Sequence, residues 1–132
     1  MEEKVVKQVK LENNQTLIIL DASRMISQDA YMVKMKARID IQVEKGLFSD
    51  KEQKELFFED IAEHIGNVAV YEFISERNFI MAKEKDELFE KLQHDFFETL
   101  GKYISKPDFP KKVILKQYKD IVNKKTNTIK AL

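Results

Sequence analysis

The sequence predicts an α+β fold: a mostly antiparallel sheet of about four strands, made of an N-terminal three-stranded meander and one later strand, packed with three helices. Three observations predict it. The first 43 residues are rich in β-branched side chains and alternate apolar with polar positions. Three later stretches repeat apolar residues every three to four positions, as amphipathic helices do. A second β-branched and aromatic run, "NVAVYEFISERNFI", lies between the first two of those stretches.

The meander starts with "KVVKQVKLE" and "QTLIILDA", separated by Asn13-Asn14, a pair that tolerates positive φ. A two-residue loop there would set Leu11 opposite Thr16, Val9 opposite Ile18 and Lys7 opposite Leu20. Leu17 and Ile19 would then face the other side, opposite Lys10 and Gln8. The second strand thus carries apolar groups on both faces and belongs inside the sheet. It runs into Asp21, Ser23 and Arg24, which read as a polar turn at the strand's end. "AYMVKMKARIDIQVE" alternates most cleanly, with Tyr31, Val33, Met35, Ala37, Ile39, Ile41 and Val43 on one side and Lys34, Lys36, Arg38, Asp40 and Gln42 on the other.

"LFSDKEQKELFFEDIAEHIGN" follows as a helix. Ser49 and Glu52 have the spacing of a capping box, Phe57, Phe58, Ile61 and Ile65 form a stripe, and Gly66 ends it. Val68, Val70, Tyr71, Phe73 and Ile74 then suit a largely buried strand. The next helix, "KEKDELFEKLQHDFFETLGKYIS", turns Leu88, Phe89, Leu92, Phe96, Leu100, Tyr103 and Ile104 inward. Pro110 fits the first turn of a last helix, with Val113, Ile114, Leu115, Tyr118, Ile121 and Val122 inward.

A chain of 132 residues has the length of one domain, and residues 1–132 are read as a single α+β domain with a tail that frays after about 125. There is no cysteine, which excludes disulfides, thiolate catalysis and cysteine-based metal sites. No signal peptide or membrane span is legible, so the expected location is cytoplasmic, away from membranes. The net charge is zero but segregated: residues 44–98 carry seven basic and fifteen acidic side chains, and residues 102–132 nine lysines and two aspartates. An acidic middle and a basic end can attract each other within the fold, between subunits, or toward partners.

Three arginines, Arg24, Arg38 and Arg77, stand against twenty lysines, all at strand or strand-end positions. Arginine is preferred where geometry matters. Asp21, Ser23, Arg24, Arg77 and Asn78 are therefore the candidate ligand-binding group, for an anion or other small polar ligand. The competing reading is a structural network of turn hydrogen bonds and ion pairs. Lys112, Lys116 and Lys119 share the outer side of the last helix and form the alternative site, for nucleic acid. His64 with Asp60, and His94 with Glu90 and Glu98, have helical spacing but lack the Glu-x-x-His pattern of carboxylate-bridged metal sites, so no metal is expected. No catalytic constellation, phosphate loop or cofactor motif is present. The expectation is a small non-enzymatic binding or regulatory module acting through protein–protein interaction, with a second copy or another protein as partner. An anion pocket, enzymatic or not, and a lysine-driven nucleic-acid surface are the alternatives.

Overall fold

The computed structural model describes residues 3–48 and 55–131, with side chains over 3–48 and 58–124. Among the described residues it is an α+β structure with five strands and three helices. Strands β1 (Lys4–Lys10), β2 (Thr16–Asp21), β3 (Arg24–Ser27) and β4 (Ala30–Gln42) come first, then α1 (Glu55–Ile65), β5 (Val68–Met81), α2 (Lys85–Ile104) and α3 (Phe109–Ala131). The expected capping box at Ser49 and Glu52 lies outside the described residues. The sheet is antiparallel, ordered β1-β2-β4-β3, with β5 also pairing with β4. Two compact units are discerned, Met1–Ile39 with Glu72–Lys106, and Asp40–Tyr71 with Pro107–Leu132.

In the first unit the β1–β2 pairing differs from the expected one by a residue. Lys10 pairs with Thr16, Val9 with Leu17 and Lys7 with Ile19. The loop has three residues: Asn14 N bonds Leu11 O, Leu11 N bonds Gln15 O, and only Asn14 takes positive φ, at 70°. The result is a three-residue hairpin loop closed by a left-handed residue. The shift brings Val9 to the face of Leu17, and an irregularity between Val5 and Lys7 sets Val6 out of register.

β4 alternates as its sequence requires. Val33, Met35, Ala37, Ile39 and Ile41 are buried, as are Leu17 and Ile19 of β2, which pair with Ile39 and Ala37. α2 covers this face in the first unit through Phe89, Leu92, Phe96 and Ile104. The Phe96 ring lies 5.1 Å from that of Phe73, and the Lys7 ammonium 5.7 Å from the Phe97 ring. Full burial of one such aliphatic or aromatic side chain stabilises by about 1.5–3 kcal/mol. Tyr103, expected inward, is exposed on the last turn of α2, where Ile104 takes the buried position. That turn is tied to the β1–β2 loop: Asn13 Nδ2 donates to Ile104 O (2.9 Å) and Lys106 O (2.8 Å). On the other face of β4, Lys36 bonds Glu3 and Lys34 lies 3.8 Å from Glu76.

In the second unit, Ile61 of α1, Ala69 of β5 and Phe109, Val113 and Ile114 of α3 are buried. Gly66, at φ 92°, ends α1 as its sequence predicts, with its N–H on Ala62 O. Tyr71 packs edge-on against Phe109 at 5.2 Å. The region 68–81 is a strand, as expected, but not a largely buried one: Val68, Val70 and Ile74 are exposed. The reason is alternation: Val68, Val70 and Ile74 lie on the solvent face of the strand, while Ala69, Tyr71 and Phe73 between them are buried or half-buried.

Candidate functional site

The Asp21–Arg24 stretch does not form a terminal turn. Asp21 pairs with Met35 and Arg24 with Met32, so three steps forward on one strand match three steps back on the other. β2 and β3 are one hairpin arm with a fault at Ala22-Ser23, and the pairing register survives it. Ala22 N still donates to Lys34 O at 2.9 Å. The return bond is made by a side chain: Lys34 N donates to Ser23 Oγ at 2.9 Å, in place of the backbone carbonyl a regular ladder supplies. Asp21 Oδ1 accepts from Ser23 N at 2.9 Å and fixes the fault locally. Aspartate and serine here keep backbone groups satisfied where the strand departs from the ladder.

The other predicted residues lie apart from this pair. Arg24 is exposed on β3, and its side chain makes no hydrogen bond or ion pair among the described residues. Arg77 is exposed on β5, where its guanidinium donates to Glu76 O at 2.8 Å. Asn78 beside it is exposed. No hydrogen bond or ion pair among the described residues joins Asp21 to either arginine. Asn67 O accepts from Val43 N, so alternate groups from Val68 onward, Val70 and Glu76 among them, point to the free edge of β5. Arg77 thus covers one edge carbonyl, and Gln117 of α3 covers another, Val70 O, at 2.9 Å.

The outstanding residue of this region is one that sequence reasoning passed over. Phe79 sits inside β5 with φ of 58° and is 78% exposed. A bulky residue in the left-handed region is an outlier that costs about 1–2 kcal/mol. The adjacent Asn78 tolerates that conformation far better, yet the phenylalanine adopts it. The Lys34–Glu76 ion pair links β4 to β5, and Tyr31 and Phe79 each lie three residues from it in sequence. Met25, which pairs with Tyr31, and Met81 are also exposed. The result is an apolar sheet end with a strained aromatic held in solvent.

Of the α3 lysines, Lys112 pairs with Asp108 at 3.1 Å, while Lys116 and Lys119 are exposed. His64 Nδ1 lies 2.8 Å from Asp60 O and its ring stands edge-on to Tyr118. The Tyr118 hydroxyl donates to the Asp60 carboxylate, and that bond raises the tyrosine pKa above its ordinary value. His94 lies 3.7 Å from Glu98 on exposed helix surface. No group of three metal-ligating side chains stands together among the described residues. No described helix is long and apolar enough to cross a membrane. Compared with known proteins, the chain matches no family model, no curated protein and no solved structure.

Proposed function

We propose that this chain is a small non-enzymatic binding module that acts through protein–protein interaction, with a second copy of itself as partner, in the cytoplasm. The observation that carries the reading is Phe79. Its backbone is strained and its ring is largely in water, so among the described residues nothing repays either cost. An aromatic anchor seated in a partner recovers the ring's burial, and such anchors dominate interface energetics. The exposed Met25 and Met81 supply apolar surroundings of the kind found at interface centres. The segregated charge of the chain, acidic in the middle and basic at the end, suits a contact between two identical copies, each offering both signs.

A spin label tests this directly, because the chain has no native cysteine. Asn78→Cys places a single label next to the anchor and leaves Phe79 intact. A dimer through this region gives a defined dipolar distance between the two labels, which disappears on dilution with unlabelled chain. Absence of any intermolecular coupling across a concentration series contradicts the proposal.

A further inference from the structure

We propose that the first unit holds a binding site for an alkylammonium group, in a cavity between the N-terminal half of α2 and the ends of β1 and β2. This goes beyond the protein-binding reading and does not depend on it. The cavity has a volume of about 340 Å³ and is lined by Val6, Asp21, Asp86, Glu87, Phe89, Glu90 and Gln93. Four carboxylates therefore line one open surface pocket, where Asp86, Glu87 and Glu90 are exposed and Asp21 is half-buried. Acidic residues at the first turn of a helix are ordinary, because they complement its dipole, and by themselves they indicate no ligand.

Gln93 provides the independent sign. It is only 8% exposed, lines the cavity, and its side-chain amide makes no hydrogen bond to any described residue. A buried amide left unpaired is costly, and buried polar groups nearly always have partners. Its position is as telling as its burial. Gln93 follows Phe89 by four residues and precedes Phe96 by three, so it occupies a place in the apolar stripe of α2 that a leucine would fill at lower cost. The polar choice is explained by something in the cavity that the amide contacts.

The lining specifies the ligand's chemistry. The carboxylates select a cation, and an ammonium offers up to three donors to them and to the Gln93 carbonyl. Val6 and the Phe89 ring provide apolar wall for a methylene stem, and an aromatic ring adds attraction for a cation. Val6 stands where the β1–β2 register shifts, and such irregularities re-aim a side chain. Asp21 has one carboxylate oxygen held by Ser23 N. The same carboxylate side chain lines the cavity. Asp86 already bonds Lys85 at 3.1 Å, and the Lys85 ammonium lies 5.4 Å from the Tyr31 ring. The protein's own lysine therefore sits beside the acidic group and sets the competition a ligand meets.

The same chemistry belongs to a free aliphatic diamine and to a lysine side chain on a peptide. Titration of the isotope-labelled chain with 1,4-diaminobutane, and separately with a blocked lysine tripeptide, distinguishes the sources. The expected result is saturable movement of the Gln93 side-chain amide resonance and of the Val6 and Phe89 backbone resonances, with potassium chloride at equal ionic strength producing none. The probe with the lower Kd identifies the source. Glu90→Gln, on the exposed surface of α2, lowers affinity by about tenfold or more while leaving the melting temperature in place. Gln93→Leu abolishes the response and raises stability, because it replaces an unpaired buried amide. A Gln93 amide unmoved by either probe overturns the proposal. So does a response that Glu90→Gln and Gln93→Leu leave unchanged.

Discussion

Ser23, Phe79 and Tyr118 each illustrate how one side chain sets a local property. Ser23→Ala removes the acceptor for Lys34 N without removing the donor, so chemical denaturation should show a loss of about 1–2 kcal/mol. A loss under a few tenths would mean that the hydroxyl is replaceable. Phe79→Gly relieves positive-φ strain at a position with little burial to lose, and should raise stability by about 1 kcal/mol. At most positions Phe→Gly destabilises, which makes the sign of this change diagnostic. Tyr118 is raised by its bond to Asp60, so the folded state retains its proton to higher pH than the unfolded one. The resulting stabilisation is complete below the ordinary tyrosine range and is lost as pH rises through the raised value. Denaturation midpoints should therefore fall less steeply in alkali for Tyr118→Phe than for the native chain.

At the scale of elements, the period of the apolar positions made β4, α2 and α3 legible, because alternation and helical stripes follow directly from which face is buried. Register was less legible. Asn13 and Asn14 both admit positive φ, and which of them takes it decides whether the loop has two residues or three. The exposure of β5 was hidden for a different reason: Val, Tyr, Phe and Ile fit a strand covered on both faces and one with a solvent face alike, and which faces are covered is not written in composition. Asp21 and Ser23 were recognisable as polar strand-end residues, whereas β3 was not, since its pairing depends on the long-range continuation of β4. Nothing in the sequence marks Phe79, because a left-handed phenylalanine runs against propensity. Two element-level consequences follow. Asn13→Ala unties the β1–β2 loop from the last carbonyls of α2 and should cost about 1–3 kcal/mol, with faster amide exchange at the end of α2. Arg77→Ala and Gln117→Ala uncover the Glu76 and Val70 carbonyls on the edge of β5 and should together promote strand-mediated aggregation, read by thioflavin fluorescence.

For the whole molecule, charge separates along the chain while the total stays at zero. Lys116 and Lys119 are exposed, so the nucleic-acid alternative has a clear test. The chain should show no salt-dependent affinity for single- or double-stranded nucleic acid, and affinity removed by charge reversal at these two lysines would relocate the function to α3. Self-association is the central claim, and native mass spectrometry of the unmodified chain beside Phe79→Gly tests it most directly. The prediction is a dimer for the native chain and a more stable monomer for the variant. A native chain that stays monomeric at every concentration, or a variant that dimerises equally well, contradicts the assignment of Phe79 as the anchor.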